Sequence, residues 1–212
     1  MQNPYNVWGT LPSGSSSEIP PSIYGALPWN DSSSSNAPRL HTFYFAALNP
    51  SIANCVVLGP NNDPQFYVTA DSNLPGYTVL KTANGQKFGL IEWKSGGSQV
   101  EIRGAVPKQA TSTFLSLSPD RRYRIMHVGD SDYIWMPDQN GIRVCVSYIV
   151  HNIADSDLPQ MCLGGDMSST TLAKVTRESS SFKLEMRSEA VQAGLIHSAI
   201  AAIVLLESGS SI

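Results

Sequence analysis

From His41 onward, short apolar or alternating runs are separated by turn residues, a pattern typical of antiparallel β structure. The alternation is strictest in residues 100–103 and 182–187, where apolar side chains alternate with charged ones. Because successive side chains of a strand point to opposite faces, these strands should bury one face and expose the other. The pairs Asn84-Gly85 and Asn140-Gly141 supply residues that tolerate the positive φ of tight turns.

This pattern predicts about twelve strands in a mainly β, antiparallel domain. They are centred on residues 42–48, 54–58, 65–70, 77–82, 87–93, 99–103, 112–117, 123–128, 133–136, 143–151, 171–177 and 182–187.

The C-terminal segment breaks the alternating pattern. Residues 190–206 contain no charged side chain, and their only polar side chains are Gln192, His197 and Ser198. A helix that is apolar on all sides is buried in protein or in lipid. With Ser188 as a suitable N-cap, we expect one helix over residues 189–206.

Two environments suit this helix. A sheet that closes into a barrel would have no exposed edges, and the helix would fill its interior. Alternatively, the helix is a membrane tail anchor, which is less favoured because at ~1.5 Å per residue it is shorter than the ~30 Å hydrocarbon core.

Residues 1–40 differ in composition from the rest of the chain. They are rich in Ser, Gly, Pro and Asn and cannot build a core alone. They nevertheless contain Trp8 and Trp29, so the leader either lies ordered along the domain or in an oligomer interface, or is a disordered tail. We therefore divide the chain into a leader, 1–40, and a β domain, 41–212.

Charge and cysteine content restrict the class of protein. The chain has 14 Lys and Arg against 17 Asp and Glu, which disfavours a nucleic-acid binder because phosphate neutralisation needs clustered basic residues. Its 3 cysteines are widely spaced and predict neither a disulfide framework nor a metal site. The N-terminus lacks the basic and apolar regions of a secretory signal, so we expect a cytoplasmic protein.

Several segments resemble an uncharacterised domain family of mushroom-forming (basidiomycete) fungi. The segments are LNPSIANCVVLGPNNDPQF (48–66), LIEWKSGGSQVEIRG (90–104), FLSLSPDRRYR (114–124), YIWMP (133–137) and LEMRSEAVQAGL (184–195). That family is similar to the tubby C-terminal and LURP-one-related proteins, so the resemblance implies a tubby-like barrel of about twelve strands around a hydrophobic C-terminal helix. The family has no established activity, and the resemblance therefore implies a fold rather than a function.

No catalytic motif is visible in the sequence. GxSxG, P-loop, GxGxxG and HExxH patterns are all absent. The four histidines are scattered, so a Ser/His/Asp or Cys/His site could form only if folding brought distant residues together. We therefore expect a protein that is not an enzyme.

A basic cluster marks one candidate site. The sequence SPDRRYR places Arg121, Arg122 and Arg124 close together, near Lys108. These cations could bind an anionic headgroup, as tubby-like domains bind phosphoinositides, or they could pair with carboxylates on neighbouring strands. The first alternative makes the protein a peripheral membrane adaptor.

Aromatic residues in the strands suggest a different ligand. Adjacent rings such as Phe43 and Tyr44 must point to opposite faces of a strand, so some rings need cover outside the barrel interior. The leading hypothesis is a non-enzymatic binding protein for an apolar small molecule, either a lipid or a conjugated polyene pigment that would make it a chromoprotein. The candidate ligand-binding residues are Trp8, Trp29, Phe43, Phe66, Trp93, Trp135, Lys81, Arg143 and His197. A structural or storage protein of the fruiting body remains an alternative.

Overall fold

The computed structural model describes residues 39–70, 75–146 and 171–208. These residues form thirteen antiparallel strands in one sheet, and three helices. The strands are β1 (Leu40–Ala46), β2 (Cys55–Leu58), β3 (Pro64–Ala70), β4 (Tyr77–Thr82), β5 (Lys87–Glu92), β6 (Gln99–Ile102), β7 (Val106–Ala110), β8 (Leu115–Leu117), β9 (Arg124–Val128), β10 (Ser131–Asp138), β11 (Gly141–Val146), β12 (Thr171–Arg177) and β13 (Phe182–Arg187). The helices are α1 (Thr111–Phe114), α2 (Ser188–Gln192) and α3 (Leu195–Glu207). Trp8 and Trp29 lie outside the described residues.

The strand order is β7-β6-β5-β4-β3-β2-β1-β13-β12-β11-β10-β9-β8. Consecutive strands are therefore neighbours, except for β7 and β8 at the two edges. Strand β1 pairs with β13 in a register that runs from Leu40 opposite Arg187 to Phe45 opposite Phe182. Among the described residues, the hydrogen-bond ladder is open between β7 and β8. The closed ladder expected for a barrel is thus not present in these hydrogen bonds.

The short α1 connection nevertheless forces the sheet to curl. Strands lie ~4.8 Å apart, so a flat sheet of this size would hold its edges roughly 58 Å apart. The edge strands β7 and β8 are joined only by α1, and the chain from Ala110 to Leu115 spans at most about 18 Å. The two edges must therefore approach each other where β7 ends and β8 begins.

Helix α3 lies at the centre of the hydrophobic core. Its residues from Leu195 to Leu205 are buried, apart from the half-buried His197. They belong to one apolar cluster with residues from both halves of the sheet, including Phe45, Ile91 and Trp135. The apolar surface of the helix is thus covered by the domain itself. No helix in the described part of the chain is long and apolar enough to cross a membrane.

The prediction of one continuous helix over residues 189–206 is wrong. The segment is divided into α2 and α3 by Gly194, whose φ of 76° is a left-handed conformation that glycine adopts readily. Ser188 is also not an N-cap, because the cap position of α2 is Arg187. Instead, the backbone N–H and hydroxyl of Ser188 both donate to Arg39 O, at 2.9 Å and 3.0 Å.

Two strand predictions also need correction. Strand β7 was not predicted because Pro107 interrupts its alternating pattern. Proline is tolerated there because β7 is an edge strand, where one side of the ladder has no partner. The expected strand over residues 112–117 is divided into α1 and β8, and the change from helix to strand lets the consecutive Phe114 and Leu115 both be buried.

Charge introduced into α3 should unfold the domain. Ile200 is fully buried, so Ile200→Asp places an unpaired carboxylate in the core and should lower the free energy of unfolding by at least about 4 kcal/mol. Leu40→Asp is the matched control, because Leu40 is 42% exposed. Thermal melting followed by circular dichroism should show loss of the cooperative transition only in Ile200→Asp. A near-native melt of that variant would contradict the buried position of α3.

Candidate functional site

A pocket of about 190 Å³ lies where the chain from β8 to β11 meets the end of α3. Its lining residues are Leu117, Arg121, Arg122, Tyr123, Arg124, Trp135, Pro137, Ile142 and Leu206. Two candidate sets from the sequence therefore meet here, because three of the clustered arginines and Trp135 line the same pocket.

Strand register builds the apolar part of this pocket. Trp135 and Pro137 lie two residues apart on β10 and therefore share a face. Ile142 lies opposite Pro137 on β11, and Leu206 reaches the same place from the last turn of α3. Trp135 is only 2% exposed, so its ring is fixed by the surrounding core.

The β8–β9 turn places the arginines at this pocket. The Ser118 hydroxyl donates to Asp120 Oδ1 at 2.6 Å, and the backbone N–H of Arg122 donates to the same oxygen at 3.2 Å. These two hydrogen bonds hold the pKa of Asp120 below its ordinary value. Arg121 has a φ of 59° within this turn. The turn is thus organised by side-chain to backbone hydrogen bonds of the kind that Ser and Asp favour.

The three arginines differ in how they are bound. Arg124 Nη1 donates to Leu115 O at 3.1 Å, which fixes its guanidinium. Arg122 pairs with Asp120 at 3.7 Å, but its side chain is 76% exposed, so this ion pair is weak. The side chain of Arg121 has no ion pair among the described residues. The two exposed arginines of the turn, Arg121 and Arg122, thus have one carboxylate partner between them in the described residues, and their charge favours an anion.

The pocket also has a polar group without a partner. The indole Nε1 of Trp135 is buried and has no acceptor within the described ranges. Buried donors in folded proteins are nearly always hydrogen-bonded. Because Trp135 also lines the pocket, this unpaired donor is a second indication that the pocket accepts a molecule with an acceptor atom.

Lys108 does not join the arginine cluster. Its Nζ lies 2.9 Å from Glu92 Oε2, while Lys94 Nζ lies 3.0 Å from Glu92 Oε1 and the Tyr77 hydroxyl donates to Oε1. Hydrogen bonds from Tyr77, Lys108 and Lys94 lower the pKa of Glu92 to about 2. The predicted basic patch of four cations thus contributes only its three arginines to the pocket.

Three predicted ligand residues come together elsewhere. His197 stacks on Phe88 with ring centroids 4.3 Å apart, and its ring meets the edge of Phe66 at 5.7 Å. Phe43 is 6.4 Å from Phe66 in the same cluster. Burial lowers the pKa of His197, which favours a neutral imidazole packed among aromatic rings. None of these rings lines the pocket.

The other candidates also lie away from the pocket. Trp93 donates from Nε1 to Thr78 Oγ1 at 2.9 Å, and Lys81 is half-buried on β4. Arg143 Nη2 lies 3.3 Å from Asp138 Oδ2, to which Lys174 Nζ also comes within 3.5 Å. Of the seven predicted ligand residues that the structure describes, only Trp135 lines the pocket, and Trp8 and Trp29 lie outside the described residues.

The sequence patterns do not predict the pocket's aliphatic lining, which consists of Leu117, Pro137, Ile142 and Leu206. The YIWMP segment and the apolar C-terminal run were noted separately, but no local pattern links them. The β10–β11 register and the burial of α3 would have been needed to bring Pro137, Ile142 and Leu206 together.

Comparisons with known proteins leave the family open. No protein-family model matches the chain, and no curated protein matches it significantly. The X-ray structure of a protein from Arabidopsis thaliana is similar at 14% sequence identity and a TM-score of 0.40, covering 79% of this chain and 93% of that chain. This likeness is too distant to assign a function, and the geometry of the pocket is therefore the basis for one.

The Glu92 cluster gives a pH-dependent stability. Because folding lowers the pKa of Glu92 to about 2, its stabilising effect is present above the ordinary glutamate pKa of ~4.3 and is lost as the pH falls toward 2. Glu92→Gln should therefore lower Tm most at pH 7, and the difference from wild type should narrow by pH 3. Exposed Glu189→Gln is the control. A Tm difference that is independent of pH would show that the ionised carboxylate is not what stabilises this cluster.

Proposed function

We propose that the protein binds an apolar small molecule carrying an anionic or other acceptor group. The observation that carries this proposal is the pocket, in which an aliphatic and indole lining meets a rim of arginines. The apolar part of the ligand contacts Trp135 and Leu206, and its polar end contacts Arg121 and Arg122. The pocket acts in binding rather than catalysis, because its described lining contains no pair of nucleophile and base.

The size of the pocket limits how much of the ligand it encloses. Its volume of about 190 Å³ is near the ~150 Å³ of a cavity that holds benzene and below the ~300–1,000 Å³ of sites for drug-sized molecules. The pocket therefore encloses one end of a longer molecule. A lipid with an acyl chain and a conjugated polyene pigment are the two ligand classes that we propose.

Binding is non-covalent in this proposal. A Schiff base requires a lysine amine, and the described lining of the pocket contains no lysine. A carboxylate or phosphate would instead accept hydrogen bonds from guanidinium groups, which present several donors in a planar fork.

A second candidate function is adhesion to an anionic membrane surface. The exposure of Arg122, at 76% of its side chain, favours this candidate because the arginine rim can reach a phosphorylated lipid headgroup. A structural or storage protein is the third candidate and would bind neither a soluble ligand nor a vesicle.

We also propose that the chain belongs to the fungal family that it resembles and that its curled sheet is a tubby-like barrel. The mainly β content, the buried C-terminal helix and the short connection between the edge strands support this fold. A cytoplasmic location is proposed on the grounds of composition, since the widely spaced cysteines predict no disulfide framework.

Matched amphipaths test the binding proposal. Decanoate and decanol share a chain length and differ in charge, so isothermal titration calorimetry of the full chain should give a lower Kd for decanoate. Replacing both Arg121 and Arg122 by Ala should weaken decanoate binding at least about tenfold, or ~1.4 kcal/mol, and leave decanol binding unchanged. The control replaces two exposed cations elsewhere, Lys87 and Arg103, by Ala and keeps the same net charge as the test variant.

Three results would separate the candidates. Equal loss of decanoate binding in the test and control variants would mean that only net charge matters, which contradicts the proposed site. Binding to phosphoinositide vesicles in a flotation assay would favour the membrane candidate if added salt weakens it and if the Arg121 and Arg122 variant no longer binds. Binding of neither probe would favour the structural or storage candidate.

The pigment class makes a separate prediction. A conjugated ligand retained from the natural source should give the purified protein a visible absorption band. Because binding is non-covalent, extraction with organic solvent should remove the band and leave the mass of the chain at 22.9 kDa. A colourless protein with an extractable lipid would favour the lipid class, which mass spectrometry of the extract identifies.

A further inference from the structure

Three polar side chains on β8, β9 and β10 form a continuous chain of hydrogen bonds. Ser116 Oγ lies 3.2 Å from His127 Nε2, and His127 Nδ1 lies 2.6 Å from Asp132 Oδ1. The strand register explains the arrangement, because Asp132 lies directly opposite His127 and Ser116 lies opposite Ile125, two residues before His127. The three residues do not belong to any catalytic sequence motif, and the pairing of β8, β9 and β10 brings them together.

The order of the groups matches a nucleophile, a base and a carboxylate that orients the base. An ionised Asp132 can only accept, so a neutral His127 donates to it from Nδ1 and has Nε2 as its acceptor. The Ser116 hydroxyl then donates to Nε2. Ile125 O is a competing acceptor for the same hydroxyl, but at 3.4 Å it is the longer contact.

The cluster lies on the outer face of the sheet. Met126 is fully buried, so its neighbour His127 must point away from the core. The side chains of His127 and Asp132 are 40% and 30% exposed. A small molecule can therefore reach Ser116 and His127 without entering the pocket, most of whose lining lies on the opposite face.

The open sheet edge supplies a donor for a developing negative charge. Strand β8 has β9 as its only partner in the described sheet. Ser118 N–H donates to Tyr123 O at 3.0 Å toward β9. Because alternate N–H groups of a strand point in opposite directions, the N–H of Leu117 points to the open edge. It belongs to the residue that follows Ser116, which is the position of one backbone oxyanion donor relative to the nucleophile in α/β-hydrolases.

We propose that Ser116, His127 and Asp132 form a hydrolytic site for small acyl esters. Ser116 Oγ attacks the ester carbonyl carbon as its proton passes to His127 Nε2, and the new carbon–oxygen bond gives a tetrahedral oxyanion. When this species collapses, the bond to the alkoxy group breaks, and that group takes the proton from His127 and leaves as the alcohol. Water then attacks the acyl-serine through the same base and releases the acid and Ser116.

The position of the site selects the substrate. Ile134 lies on the same face, opposite Ile125, and is only 3% exposed, so the space beside Ser116 is restricted and a long acyl chain does not fit there. Ile125 shares this face and offers a small apolar contact beside Ser116. Short-chain acyl esters with an accessible carbonyl therefore fit best. This activity goes beyond the binding function of the pocket and does not depend on it.

The experiment uses the full chain with an alkyl fluorophosphonate probe and p-nitrophenyl acetate. The probe should phosphonylate Ser116 with release of fluoride, and peptide mass spectrometry of the wild type should locate the label there. Ser116→Ala should remove both labelling and ester turnover, and His127→Gln should slow labelling about 100-fold. Ser131→Ala, at an exposed serine on β10, is the matched control and should behave as wild type.

Asp132 is a positioning residue and needs a separate measurement. Asp132→Asn should slow labelling while its Tm stays near that of wild type, and Asp132→Glu should recover part of the rate because a carboxylate is restored. Absence of label on Ser116, labelling that is equal in His127→Gln, or ester turnover that is unchanged in Ser116→Ala would each overturn the proposal. The last result would mean that an imidazole attacks the ester directly. None of these outcomes depends on decanoate binding.

Discussion

The burial of α3 is the constraint on which the rest of the structure depends. A helix that is apolar on every side can leave water only if protein surrounds it. One flat sheet would cover a single face, so the sheet must curl around the helix. Three of the buried helix residues, Ala199, Ala201 and Ala202, have small side chains, which lets the large residues of the strands approach the helix closely. Every strand contributes at least one residue to the apolar cluster that contains this helix, so loss of the helix would open the core.

The pocket follows from where this helix ends. Leu205 is fully buried, Leu206 is half-buried, and α3 stops at Glu207. Near that end, Trp135 of β10 and Ile142 of β11 line the pocket together with Leu206. The β8–β9 turn adds arginines at the same place. The pocket at the end of α3 thus combines an apolar lining with the positive charge of the β8–β9 turn.

Local patterns predicted what local physics determines. Residues 77–82, 171–177 and 182–187 match strands β4, β12 and β13, because each is a short apolar or alternating run bounded by turn residues. In β13 the alternation also shows which face is buried. The arginines were found because they are adjacent in sequence. Strand β7 and the break at Gly194 were not predicted, because a proline in an edge strand and a glycine inside an apolar run leave no periodic pattern in the sequence.

Contacts across the sheet were beyond the reach of sequence patterns. The meeting of Ser116, His127 and Asp132 requires the registers of β8–β9 and β9–β10, and a one-residue shift of either would move a side chain to the other face. Lys108 shows the converse, since its proximity in sequence to the arginines predicted a shared patch but its partner is Glu92.

The pairing of β1 with β13 has a consequence for how the chain folds. Every other pairing in the described sheet joins strands that follow one another, so the sheet consists of two meanders, β1 to β7 and β8 to β13. Hairpins of this kind close short loops and form quickly, whereas joining Leu40 to Arg187 closes a loop of most of the domain. The slow step of folding is therefore expected to be a single zipping event between the two ends of the domain, after which α2 and α3, immediately C-terminal to β13, are held beside the interior that they fill.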